Sequence, residues 1–375
     1  MNRSAPVTTI LCAGPGLGFY VPGILMQRKL REGGIPAVTE VFEGYLQTDR
    51  RNNVAKAKQS FHRNFSFALM GQNLAKDPSP FLDREAVNEL VDTWQQQRRR
   101  HFLVFSGFWI PVLEQYRQIC PEEDLQINLC HVDAANSTSW SLFDTSASYF
   151  RHHWFNDWES RTIHFHLNID DAAAIPFPER EDRYIIHGGG WGMGTYRQKI
   201  DELNAAGLVL DVIAYEKDDL ETVHTGNNYY MIDPEWRTWD RNIDGTHSFP
   251  PLAATGKGQQ ERYQAGQAYP PIYDLVKKNK AIISKPGAGT LMDSLSSATP
   301  LVYLEPFGSY EAKNAALWQH FGLGLPYEKW KANGFDPAIL EPMAQRLTEV
   351  RQSSQNFVTV YKQLVTDGTK NLSKV

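Results

Sequence analysis

AIISKPGAGTLMDSLSSATPLVYLEPFGSYEAKNAALW, residues 281–318, decides the fold. A short apolar run, Ala281–Ser284, meets a Gly-rich turn, and a helix-periodic segment follows. Leu301–Leu304 is again apolar and extended, and a second loop then opens a second helix. Strand, turn, helix and strand at this spacing form a parallel α/β unit, because parallel neighbours need a crossover that a helix supplies. Gly287, Ala288, Gly289 and Thr290 set small residues and free backbone N–H groups at the helix start. Unpaired donors and the helix dipole both favour an anion there. Asp293 lies three residues beyond Thr290, one turn along the same face, within reach of hydroxyls beside that anion. Read alone, the loop is equally a tight strand–helix turn with an exposed Asp.

Working outward, the same unit recurs. Val7–Cys12 is an apolar run followed by AGPGLGFYVPG; Ile24–Glu32 fits a helix that stops at Gly33-Gly34, and Ala37–Phe42 a second strand. His101–Ser106, Trp109–Cys120 and Leu125–His131 repeat strand, helix, strand, and residues 45–100 between them read as inserted amphipathic helices ending in QQQRRR. Residues 134–162 are aromatic and polar without a clear period, Ile163–Asn168 suggests one more strand, and residues 169–182, with two prolines, read as a linker. Tyr184–His187 then runs into GGGWGMG and a helix, about 170 residues after the first such unit, with further strands at Leu208–Ala214 and Tyr229–Ile232. Two doubly wound α/β domains are expected, 1–175 and 183–345, with a closing segment 346–375 that is helical over 340–364. Their ligand cleft should lie between them at the carboxyl ends of the strands.

Composition narrows the function classes. The chain has 375 residues, 42% hydrophobic, with 38 basic and 43 acidic side chains giving a net charge of -5. That balance argues against a duplex nucleic-acid binder and against disorder. No run approaches the roughly 18 apolar residues of a membrane span, and the amino-terminal apolar run is too short for a signal peptide. Three cysteines, Cys12, Cys120 and Cys130, can make neither a disulfide framework nor a metal site by spacing. A cytoplasmic protein is expected.

The 281–318 stretch resembles the donor-binding signature of GT-B glycosyltransferases that use nucleotide-diphosphate sugars. It is similar to that of bacterial enzymes acting on a lipid-linked peptidoglycan precursor and of natural-product and plant UDP-glycosyltransferases. The matching residues are Ser284, Lys285, Gly287, Gly289, Thr290, Asp293, Pro300-Leu301-Val302, Pro306-Phe307 and Asn314-Ala315. The resemblance implies two Rossmann-like domains facing across a cleft, with an acceptor domain first and a donor domain second. It implies that Gly287–Thr290 hold the diphosphate, that Asp293 holds the ribose and that Asn314 belongs to the donor site. Lys285 would neutralise charge developing on the leaving nucleotide. Where the family has an acidic-Gln pair, this chain has Tyr310-Glu311: Glu311 can accept from sugar hydroxyls, and the bulky Tyr310 points to altered donor choice. Gly188, Gly189 and Gly190 would cover the diphosphate from the other side of the cleft, and the last helix would cross back to the first domain. Gly16, Gly18 and Phe19 form the acceptor-side loop, but Phe19 stands where many relatives carry His in a His-x-x-Pro pattern and cannot take a proton. The implied reaction is metal-independent sugar transfer from a donor, expected to be UDP-linked, to a small-molecule or lipid-linked acceptor, with no other cofactor.

Candidates for the missing base are few. His131 and Asp133, in LCHVDAAN, stand at a predicted strand end, where a carboxylate can tune an imidazole. A strand-end His bonded to backbone is the alternative. Tyr20 beside the first glycine loop and His187 at the end of its strand are further candidates, and His187 could instead donate to phosphate. His152-His153 and His164-x-His166 lack a third ligand at fixed spacing, so no metal is expected. Arg98–Arg100 with Arg50, Arg51, Lys56 and Lys58 could attract an anionic acceptor or a membrane surface, or be the solvated side of helices. Trp236 and Trp239 could stack a nucleobase or simply pack. Two rivals share the architecture: a nucleotide-sugar 2-epimerase, and a non-catalytic nucleotide-binding or activator protein.

Overall fold

The computed structural model describes residues 6–14, 16–73, 76–220, 224–256 and 260–366. Five strands form the first sheet: β1 (Thr8–Cys12), β2 (Ala37–Val41), β3 (His101–Val104), β4 (Gln126–His131) and β5 (Phe150–Trp154), in the order β2-β1-β3-β4-β5. All neighbours are parallel, in registers such as Thr8↔Ala37, Thr8↔His101 and Ile127↔Phe150. β1 and β4 are buried along their whole length, which is why they read as unbroken apolar runs rather than alternating ones. β5 carries no such signal: FRHHW is half exposed at the sheet edge. The strand expected over 163–168 is reduced to two short pairings, Thr162–Ile163 with Asn156–Asp157 and Phe165–His166 with Gln355–Asn356.

Three helices of the first half matter for the site. α1 (Leu17–Glu32) starts directly at the glycine loop, about two turns earlier than its apolar periodicity suggests, and carries Pro22 inside it. α2 (Thr48–Arg63) and α3 (Phe65–Asn73) form the insertion.

The second sheet has seven strands: β6 (Glu181–Ile186), β7 (Leu210–Ala214), β8 (Asn228–Ile232), β9 (Leu252–Thr255), β10 (Asn279–Ser284), β11 (Leu301–Tyr303) and β12 (Gly324–Pro326). Their order is β9-β8-β7-β6-β10-β11-β12, parallel except for the edge strand β9. α4 (Ala288–Ser297) follows β10, and α5 (Gly308–His320) follows β11. The single carboxyl-terminal helix expected over 340–364 is two, α6 (Glu341–Ser353) and α7 (Phe357–Thr366), because Gln355–Asn356 leaves the helix to pair with Phe165–His166. α7 lies on the first sheet, where Phe357, Tyr361 and Val365 pack with Ile10, Cys12 and Met26.

Each sheet reverses its strand order once. The reversals fall between β1 and β3 and between β6 and β10, and such a point opens a crevice beyond the strand ends. α1 joins the halves: Tyr20, Val21, Ile24 and Leu25 pack with the core of the second sheet, while Met26 and Leu30 pack with β1. No described helix is long and apolar enough to cross a membrane.

Candidate functional site

A cleft of about 300 Å³ opens where the two crevices meet. Gly16, Gly18 and Phe19 line it from the first glycine loop, Gly189 and Gly190 from the loop after β6, and Lys285 and Gly287–Thr290 from the start of α4. The walls touch closely. A Cβ on Gly18 would lie 3.1 Å from the Gly289 nitrogen, and one on Gly190 would lie 2.8 Å from the Leu17 nitrogen, so both positions tolerate only glycine without a shift of backbone. The Tyr215 hydroxyl donates to the Gly189 carbonyl and fixes that loop from below.

Charge is concentrated at one end. Lys285 is 8% exposed and ion-pairs with Glu311, whose other oxygen accepts the Phe307 N–H at 2.7 Å. Asp293 lines the same cleft with no hydrogen-bond partner for its carboxylate among the described residues, and burial pushes that group up to about 7. His187 lines it too. Its Nδ1 accepts the Gly189 N–H at 3.0 Å, so its proton sits on Nε2, which is buried and has no partner among the described residues. Burial, and then the Lys285 charge, push His187 down to about 3 and keep it neutral. An unpartnered buried donor beside a helix start and a lysine is an arrangement made for an anion.

Asp133 projects into the cleft from the end of β4. Burial pushes its carboxyl up to about 7, against the Asn314 amide, which donates to it at 2.7 Å. Neighbouring Glu311 adds to the rise, while Lys285 and the Ala288 N–H oppose it. A carboxyl with a pKa near neutrality in a cleft is suited to proton transfer. Asn314 itself does not line the cleft. It accepts the Ala134 N–H at 2.7 Å and donates to the Pro286 carbonyl at 2.9 Å, clamping the first half onto the loop before α4.

The structure separates other residues from this group. His131 does not pair with Asp133: its ring stacks on Trp154 at 4.1 Å, lies against Trp140 and meets His152 at 2.9 Å, away from the cleft lining. Burial, then His152 and His153, push it down to about 3, so it is a poor proton acceptor. Tyr20 is wholly buried, its hydroxyl donating to the Ser248 carbonyl at 2.7 Å. Gly188 supports the cleft without lining it, since a Cβ there would strike Gly192 backbone at 2.4 Å. Trp236 and Trp239 line a neighbouring cavity, and Trp236 stands edge-on to Tyr20. The cleft's own apolar end is built instead from Ile232, Leu252, Pro270 and Ile272. The Tyr269–Pro271 run before the short helix Ile272–Lys278 gave no periodic signal that would have singled it out.

Beyond the charged end, Phe61, Phe108, Trp191 and Phe307 line an aromatic side, with Tyr310 between it and Glu311. Gln72 of α3 donates to the Phe307 carbonyl at 3.5 Å and so ties the insertion to this wall. His153 bonds Asn128 and His166 bonds Ser354. Among the described residues no three His, Cys, Asp or Glu side chains gather to hold a metal ion.

No family model and no curated protein sequence matches the chain. Solved structures do. The chain is similar to the glycosyltransferase SnogD from Streptomyces nogalater, at 12% identity over 97% of this chain and 100% of that one, with a TM-score of 0.54. It is similar to the Streptomyces sp. SF2575 glycosyltransferase SsfS6 complexed with thymidine diphosphate, at 10% identity over 96% and 99%, with a TM-score of 0.52. MurG from Acinetobacter baumannii matches at 12% identity over 96% and 99%, with a TM-score of 0.50. The architecture is therefore GT-B: two Rossmann-like halves facing across a cleft, spanning nearly the whole chain.

Proposed function

We propose that the chain is a glycosyltransferase that moves a sugar from a pyrimidine nucleoside diphosphate, UDP-linked by preference, to an acceptor held on the aromatic side of the cleft. One observation carries the reading: an imidazole N–H and the Asp293 carboxylate, both without partners among the described residues, converge with a buried lysine at the start of α4. The Gly289 and Thr290 N–H groups at the start of α4 take the diphosphate, with Lys285 and the His187 Nε2–H as further donors. Asp293 accepts from the ribose hydroxyls, and the base lies against Ile232, Leu252, Pro270 and Ile272. The fold shared with a neighbour complexed with thymidine diphosphate supports a pyrimidine at that end.

Glu311 accepts from the donor sugar once Lys285 turns toward phosphate. As the bond from the anomeric carbon to the diphosphate breaks, negative charge grows on the leaving oxygen, where Lys285 and the helix start already hold positive potential. The acceptor hydroxyl gives its proton to Asp133, which replaces the histidine absent at Phe19 and stands in for the His131 expected on spacing. On this reading residues 1–175 hold the acceptor, 183–345 the donor, and 346–375 close the molecule, which works in the cytoplasm without metal on a small-molecule or lipid-linked acceptor.

Nucleotide should stabilise the native chain by mass action. Saturating UDP or thymidine diphosphate is expected to raise the melting midpoint, and Asp293→Ala to weaken that nucleotide's binding by about 1–3 kcal/mol. If no nucleoside diphosphate moves the midpoint, the donor site is misassigned.

A further inference from the structure

A second cavity, about 500 Å³, lies behind the first wall of the cleft. Leu17, Gly190, Trp191 and Tyr215 belong to both linings, so the two spaces are one residue apart where Leu17 meets Gly190. Its own surfaces come from α2 and from the chain after β7 and β8.

Charge in this cavity is unbalanced. Five cations line it, Lys56, Lys58, Arg63, Lys217 and Arg237, against three carboxylates, Glu216, Asp218 and Glu235. Arg63 occupies two of those carboxylates, at 2.9 Å from Glu216 and 3.7 Å from Asp218. Among the described residues Lys56, Lys58 and Lys217 have no ion-pair partner, and the Arg237 guanidinium reaches only carbonyls, those of Pro234 at 2.5 Å and Trp236 at 3.0 Å. Both contacts come from Nη1, and neutral carbonyls leave its charge uncompensated. Lys58 faces that charge from across the space. Burial and then Arg237 push Lys58 down to about 8, against the opposing pull of the Glu216 carboxylate, which Arg63 already pairs.

The remaining surface is aromatic. Trp191, Trp236 and Trp239 line the same cavity, which offers planar faces beside positive charge. Trp236 is held in place by its Nε1–H bond to Ser248 at 2.9 Å and by its edge contact with Tyr20, so that face is set before any ligand arrives.

We propose that this cavity is a second ligand site, distinct from the nucleotide cleft, for a planar aromatic molecule carrying an anionic group, which lies on the tryptophans with its anion between Lys58 and Arg237. Carboxylate and phosphate share this chemistry, and matched ligands separate them. The test titrates the native chain with 2-naphthol, 6-hydroxy-2-naphthoate and 2-naphthyl phosphate by calorimetry, each in low and high salt. At least one anion should bind ten or more times tighter than neutral naphthol, and salt should narrow that gap. Lys58→Met and Arg237→Met should each shrink the preference several-fold and leave naphthol affinity alone. Saturating UDP should not displace the anion. Equal affinity for naphthol and both anions in the native chain, a preference that survives both substitutions, or competition by UDP would each overturn the proposal. The native-chain comparison needs no variant to fold. Absence of UDP binding would sink the donor reading and leave this site untouched.

Discussion

Glu43 and Asp133 are carboxyls buried to within 3% of full exclusion, and burial holds both at about 7 despite the donors that reach them. Glu43 accepts the Gly14 N–H at 2.7 Å and so steadies the first glycine loop. Because the folded chain binds these protons more tightly than the unfolded one, their contribution to stability is full below about pH 4. It falls as pH rises toward 7, by at most about 1.4 kcal/mol per pH unit for each group. Burial pushes His131 and His187 down to about 3, and they act in the opposite sense between pH 3 and 6.5. The informative quantity is thus the difference between a variant and the native chain. Glu43→Gln keeps an oxygen for Gly14 and removes the titration, so its stability relative to native should grow from pH 5 to pH 8. Denaturant midpoints at the two pH values check this, and a constant difference would mean that Glu43 is ionised in the folded chain. At this scale Asp293 follows from spacing along one strand–helix unit, because a helix start fixes where the next turn points, whereas Lys285 and, on the next helix, Glu311 were pointed to by the resemblance of the stretch. His187 was legible only as a strand-end residue, since its free Nε2 depends on a bond to Gly189.

Among the elements, β5 explains why His131 was misjudged. Position at a strand end could be read from LQINLCH, but what covers the ring could not. Phe150–Trp154 pairs alongside β4 and lays His152 and Trp154 over His131, and its mixed sequence carries no strand period. For the loop bearing Trp236 and Trp239 the sequence left base stacking and packing open for a similar reason: the strand before it was clear, and the direction of its exit was not. α7 shows the reverse case, a strong amphipathic pattern whose destination is on the other half of the molecule. Phe357 is fully buried there against Phe155, Phe165 and Tyr361. Phe357→Ala should therefore cost about 3–5 kcal/mol, the scale of an aromatic lost from a close-packed core. Chemical denaturation would read it. A loss under about 1 kcal/mol would mean that α7 detaches readily from the first sheet.

At the scale of the whole molecule, two sheets and two crevices could be read from recurrent strand–glycine–helix units, while the way the halves close on each other could not. That closure rests on single side chains contributed across long sequence separations: Tyr20 to Ser248, His62 to Asp219 and Arg241 to Glu40. Asn314 is the central one, because its amide serves three groups on both halves, the Asp133 carboxylate, the Ala134 N–H and the Pro286 carbonyl. Leucine has nearly the same shape and none of the hydrogen bonds. Asn314→Leu would strand an acid, an amide and a carbonyl in a fully buried position, at a cost of about 1–3 kcal/mol for each group left unpaired. Opening the halves relieves that cost by letting water in, so the variant should favour a wider cleft rather than simple global unfolding. Cleavage within residues 169–182 should then quicken, and nucleotide should bind more weakly because the loop before α4 loses its anchor. Limited proteolysis with and without UDP separates the outcomes: faster cleavage that UDP slows is expected. Cleavage at the native rate would show that the halves are held together by α1 and the surrounding packing, with Asn314 a passenger in the interface.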